Sequence, residues 1–124
     1  MSYAISWFSI PVSDFERAVC FYETVLAISL QQQSIDGRRM GIFPGKMDDP
    51  VSGAVCDAEE GNPPGPMGTM IYLNGGDDLA IPLARVSAAG GEVLVSKSLI
   101  REEIGYYAIF RDSEGNHVGL YSPK

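Results

Sequence analysis

The sequence predicts an α+β domain built from two similar modules in a pseudo-twofold arrangement. Three observations carry that reading. The first is an internal repeat: Ile10-Pro11-Val12-Ser13-Asp14-Phe15, then Glu16-Arg17-Ala18-Val19, then Met40-Gly41-Ile42-Phe43-Pro44. Ile71-Tyr72-Leu73, Asp77-Asp78-Leu79 and Ala84-Arg85-Val86 recur in the same order, and Val118-Gly119-Leu120-Tyr121 closes the second copy. Two copies of so long a period do not make a solenoid, so a pocket is expected between two halves of one fold. The second is length: 124 residues suffice for one core and not for two independent ones. The third is a linker near the midpoint, Glu59-Glu60-Gly61-Asn62-Pro63-Pro64-Gly65-Pro66, whose prolines and glycines exclude a helix or a central strand. The expected division is module 1 over about 1–58, linker over about 59–67 and module 2 over about 68–124. The linker serves as a surface connector or as a lid over a pocket.

The elements follow in order. Tyr3 to Val12 is a strand, with Phe8, Ile10 and Val12 on one face and Trp7, Ser9 and Pro11 on the other. Ser13 or Asp14 caps a helix whose buried stripe is Phe15, Ala18/Val19, Tyr22 and Leu26. Ile28 to Ile35 and Arg38 to Phe43 are strands joined at Asp36-Gly37, a hairpin signal because glycine supplies positive φ. Val51 to Cys56 is a short fourth strand. In the second half, Thr69 to Asn74 is a strand, and Leu79, Leu83 and Val86 mark one helix face. Pro82 belongs in the first turn of that helix, and Ala89-Gly90-Gly91 ends it. Glu92 to Ser96, Tyr106 to Arg111 and Asn116 to Tyr121 complete the strands, with a turn at Asp112-Ser113-Glu114-Gly115-Asn116.

Composition narrows the function. An apolar fraction of 45% and a charged fraction of 20% are those of an ordinary globular protein. A net charge of −7 and a pI of about 4.5 argue against nucleic acid or an anionic membrane as partner, since both need a basic face. No apolar run approaches the roughly 20 residues of a membrane span, and the first residues do not read as a signal peptide. Cys20 and Cys56 are too few for a disulfide framework. A cytoplasmic protein is expected. Asp48-Asp49 and Asp77-Asp78 read as a turn and a helix start.

Three segments carry a resemblance. Val12-Ser13-Asp14-Phe15-Glu16-Arg17-Ala18-Val19-Cys20-Phe21-Tyr22-Glu23 resembles the first helix signature of the vicinal oxygen chelate superfamily, which holds glyoxalase I, bleomycin-resistance proteins and extradiol dioxygenases. Ala88-Ala89-Gly90-Gly91-Glu92-Val93 is similar to the end of its second helix, and Phe110-Arg111-Asp112-Ser113-Glu114-Gly115-Asn116 to its last turn. The resemblance implies paired βαβββ modules whose curved mixed sheets surround a cleft, one helix backing each module. It also implies a homodimer. In metal-dependent members, His and Glu side chains in the cleft hold a cation that chelates two substrate oxygens.

Those ligand positions are vacant here. The resemblance puts the first-strand ligand at Trp7, the third-strand glutamate at Gly41 and the last-strand glutamate at Gly119. Strand parity puts the remaining position at or near Gly68, and the match of Met40-Gly41-Ile42-Phe43 to Val118-Gly119-Leu120-Tyr121 pairs the two glycines. None of the four can ligate through its side chain, so no metal and no other cofactor is expected. By the same parity Trp7, Ser9, Arg39, Phe43, Met70, Tyr72, His117 and Tyr121 line the cleft. Such a mixture suits a planar or apolar small molecule, unless the aromatics merely fill the cleft as a second core. His117, the single histidine, is either a general base or a residue of the cleft edge. Three functions follow: a metal-free small-molecule binder of the bleomycin-resistance type, a lyase or isomerase related to lactoylglutathione lyase with a non-standard site, or a partner-binding domain.

Overall fold

The computed structural model describes residues 4–46, 49 and 51–124. Tyr3, where the first strand was expected to start, and Asp48 of the Asp48-Asp49 turn lie outside them. The elements run β1 (Trp7–Val12), α1 (Phe15–Leu26), β2 (Gln31–Ile35), β3 (Arg38–Ile42), β4 (Ser52–Asp57), β5 (Tyr72–Asn74), α2 (Ala80–Leu83), α3 (Val86–Ala89), β6 (Glu92–Arg101), β7 (Gly105–Arg111) and β8 (His117–Ser122). They build two curved four-stranded sheets of the same plan, β1-β4-β3-β2 and β5-β8-β7-β6. In each, the first strand pairs parallel with the last and the other neighbours pair antiparallel. The repeat read from the sequence is therefore a repeat of topology.

Local chemistry explains the elements. Asp14 is extended at the start of α1 and its carboxylate accepts from the Arg17 N–H, as an N-cap does. Asp36 and Gly37 both have positive φ, 53° and 80°, which gives the two-residue hairpin between β2 and β3. The second helix is not continuous. Pro82 lies in the first turn of α2, and the Arg85 N–H turns to the Pro82 carbonyl rather than four residues back. The missing proline N–H and this tightened turn split the segment into two single-turn helices. Leu79, Leu83 and Val86 still form one buried face.

The core lies between the sheets and the helices. Ile10 and Val12 of β1 are buried against Ala18, Val19, Tyr22 and Val25 of α1 in one cluster with Leu73, Leu79, Leu83, Val86, Phe110, Val118 and Leu120. Phe8 and Ile71 pack on its margin, as their strand parity requires. α1 packs against α2 and α3, and Arg85 Nη1 donates to the Val25 carbonyl at 3.0 Å between them. Each fully buried aromatic or branched side chain contributes about 1.5–3 kcal/mol relative to exposure. The faces turned away from this core carry Trp7, Ser9 and Pro11 in the first sheet and Tyr72, Gly119 and Tyr121 in the second.

Candidate binding cleft

The alternation of β1 decides where its side chains go. With Ile10 and Val12 committed to the core, Trp7, Ser9 and Pro11 must project from the opposite face. There they form one wall of a cleft of about 720 Å³. Trp7 remains 43% exposed, and its indole Nε1 donates to Ser9 Oγ at 3.3 Å. The segment 62–69 forms the facing wall with Pro63, Pro64, Pro66 and Met67, and Ile71, Asn116, His117 and Val118 complete the lining. Met67 is 93% exposed at this wall. Among the described residues no Asp, Glu, Lys or Arg lines the cleft, although the chain carries 25 such residues, 16 acidic and 9 basic.

Asn116 ties the walls together. Its Nδ2 donates to the Pro11 carbonyl at 2.8 Å and to Asp112 Oδ2 at 3.0 Å, while its Oδ1 accepts from the Gly65 N–H at 3.0 Å. One side chain thus joins β1, the proline-rich segment and the β7–β8 turn. Asp112 is buried, and it also accepts from Tyr22 Oη at 2.7 Å and from the backbone N–H groups of Glu114 and Asn116. Burial first, and Asp112 second, push the Tyr22 phenol well above its ordinary value of 10.0. Next to this knot, Glu114 accepts from the Ser13 and Asp14 N–H groups at 3.0 and 2.9 Å and from Arg17 Nε at 2.7 Å. Its side chain is fully covered. Burial pushes its pKa up, but Arg17 and the N–H donors outweigh that and hold it down at about 2. Sequence reasoning passed over Glu114. The available signal was its place in the last-turn motif opposite a helix start that has orphan N–H donors.

The structure brings some of the expected cleft residues together and separates others. Trp7, Ser9, His117 and Gly68 line the cleft. Arg39 and Phe43 do not: they lie on the helix side of the first sheet. The Arg39 guanidinium sits 4.9 Å from the Phe15 ring and bonds Asp57 and Glu16, and Phe43 packs on Phe8 and Tyr22. An arginine stem can cover a core face while its head stays wet, so its polarity misreports the face. Met70, Tyr72 and Tyr121 are absent from the lining. Tyr72 is 52% exposed with its ring over Gly119, and Tyr121 Oη donates to the Ile104 carbonyl.

The glycine pairing also needs correction. Gly41 is in register with buried Val55, and a Cβ there would lie 3.0 Å from Val55, 3.2 Å from Leu30 and 3.4 Å from Val19. It faces the core. Gly119, in the last strand of its sheet, stands opposite Tyr72, one residue before the buried pair Leu73 and Leu120. Its counterpart in the first sheet is Ala54, opposite Ser9 and one residue before Ile10 and Val55. β3 and β8 resemble each other in sequence because both carry a glycine inside a short apolar run. Among the described residues no three His, Cys, Asp or Glu side chains come together as a metal ion needs, so the donor set does not fit a resident divalent cation.

The two sheets of one plan, each joined to its helical segment, make a paired βαβββ fold with a cleft beside the first strand. The chain belongs to the Glyoxalase/Bleomycin resistance protein/Dioxygenase superfamily, whose model matches residues 4–120. None of the curated proteins matches it. It is similar to a glyoxalase/bleomycin resistance protein from Streptomyces sp. CB03234, at 28% identity over 96% of this chain and 100% of that one, with a TM-score of 0.72. It is also similar to TnmS3, an antibiotic binding protein from Streptomyces sp. CB03234, at 28% identity over 100% of this chain and 99% of that one, TM-score 0.72. Glyoxalase I from Zea mays shares the fold, with a TM-score of 0.68 and 18% identity over 95% of this chain and 45% of that one.

Proposed function

We propose that the protein is a binder of a small, planar, apolar molecule, held in the cleft without a catalytic metal. The observation that carries this is the cleft itself: an indole, four prolines and a methionine around about 720 Å³, with no Asp, Glu, Lys or Arg among the described lining residues. Flat apolar walls reward desolvation of a flat apolar ligand, and a few polar atoms on Ser9, Asn116 and His117 can orient it. The likeness to an antibiotic binding protein supports binding rather than turnover. The donor set supports the metal-free part of the reading. In this reading Trp7, Ser9 and His117 are the ligand-facing residues.

The reading also includes a homodimer, supported by edge strands at both ends of both sheets, which association would protect. It places the protein in the cytoplasm, supported by two free cysteines that suit a reducing compartment. No helix among the described residues is long and apolar enough to cross a membrane.

The test is a thermal-shift screen with planar aromatic compounds, followed by titration of the fluorescence of Trp7, the single tryptophan. A ligand that binds only the folded state raises Tm. Hits should quench or shift the Trp7 emission, and zinc, nickel, iron(II) or manganese should leave Tm unchanged. A metal-dependent rise in Tm, or a panel without a single hit, would overturn the reading. Sedimentation at several concentrations tests the dimer, and a monomer throughout would remove it.

A further inference from the structure

We infer that the cleft reads its ligand along the open backbone edge of β1, and so selects an uncharged flat molecule that carries an N–H donor beside a carbonyl acceptor, as a lactam does. The inference rests on the binding reading above and names the ligand class. Among the described residues β1 is an edge strand, paired only with β4. Ser52 N–H donates to the Ser6 carbonyl at 3.3 Å, and Ala58 N–H to the Val12 carbonyl at 2.9 Å. In a parallel ladder alternate residues turn both backbone groups to the same neighbour. The even-numbered residues therefore face β4, and Trp7, Ser9 and Pro11 turn theirs to the open side. Pro11 has no N–H, and its carbonyl is already taken by Asn116 Nδ2 at 2.8 Å. What remains is the N–H and C=O of Trp7 and of Ser9, two exposed residues of the cleft wall.

Two features choose the occupant. The open edge is two residues long, stopped at Pro11, which suits a small molecule better than an extended peptide strand. The described lining carries no Asp, Glu, Lys or Arg, so an ionised ligand would lose hydration and meet no counter-charge there. A neutral ring bearing both donor and acceptor satisfies the edge while its face meets the Trp7 indole. A ligand lacking one of the pair leaves a desolvated backbone group unmatched, which is where discrimination comes from.

The test compares 2-quinolinone, which carries both groups, with N-methyl-2-quinolinone, which keeps only the acceptor. Trp7 fluorescence should report binding of 2-quinolinone at least fivefold tighter. Ser9→Pro removes one N–H that points away from the ladder, at a kind of position where proline is tolerated, and should weaken both compounds alike, because both keep the carbonyl that this N–H serves. Equal binding of the two compounds by the wild-type protein overturns the inference and leaves the binding reading standing. Binding of neither compound also overturns it, while the wider panel decides the binding reading on its own. Should Ser9→Pro not fold, backbone amide NMR of the wild-type protein decides. 2-Quinolinone should move the Ser9 and Trp7 amide signals, and a shift of the Trp7 indole alone would overturn the inference.

Discussion

Arg17 and Glu114, 97 positions apart, meet at the start of α1, with Arg17 Nε donating to Glu114 Oε2 at 2.7 Å. The second sheet thereby supplies the anion that the N-terminus of the first helix calls for. Replacing Glu114 with Ala should cost about 2–4 kcal/mol, because three backbone and side-chain donors at Ser13 and Asp14 lose their acceptor. The folded-state pKa lies below the ordinary 4.5, at about 2, so the folded protein resists protonating this group. The corresponding stability is complete above about pH 4.5 and is lost as the pH falls toward 2. Full conversion of that shift would give about 3 kcal/mol; the half-exposed Arg17 reduces it to about 2 kcal/mol. Urea unfolding from pH 6 to 2 should show this loss, and Glu114→Gln should flatten it. An identical acid profile in Glu114→Gln would rule the pair out as its source.

Tyr22→Phe should destabilise by about 1–3 kcal/mol, since the Tyr22 hydroxyl is one of the donors that satisfy buried Asp112. Its phenol is held well above 10.0, chiefly by burial. Spectrophotometric titration at alkaline pH should therefore find one tyrosine that ionises only as the protein unfolds. That step should vanish in Tyr22→Phe.

The sheet plan could be read from the sequence because period-two alternation and turn chemistry agree locally. Trp7, Ser9 and Pro11 against Phe8, Ile10 and Val12 is such a pattern, and Asp36-Gly37 is another. The site was readable only in part. Arg39 and Phe43 share a face with Gly41, so reading Gly41 as a cleft position carried both to the wrong side of β3. Gly41 and Gly119 look alike in sequence, and only pairing registers separate a third strand from a fourth. The contribution of 62–69 to the cleft wall depends on a long-range bond from Asn116 to Gly65, which no local pattern encodes.

Gly41→Glu should fail as a route to a metal site. The new carboxylate would be driven against the apolar side chains of Val19, Leu30 and Val55. An unpaired buried charge costs about 3–5 kcal/mol by comparison with broken buried pairs. Gly119→Glu should cost less, because the obstacle is the ring of Tyr72, which is half exposed and can swing aside. Denaturation midpoints of the two variants should differ in that order. Equal loss would mean that Gly41 does not face the core.

Asn116→Ala should separate the cleft from the fold's stability more cleanly than any other change. The substitution removes the bonds to Pro11 and Asp112 and releases the Gly65 N–H of the proline-rich wall. Asp112 keeps Tyr22 and two backbone donors, so the global cost should stay near 1–3 kcal/mol. Locally the 62–69 segment loses the side chain that fixes it to β1. Hydrogen exchange at Gly65 should quicken beyond what the global loss accounts for, while amides of β7 and β8 slow or quicken only with overall stability. Uniform acceleration across both sheets would mean that Asn116 supports the core alone and does not hold the wall.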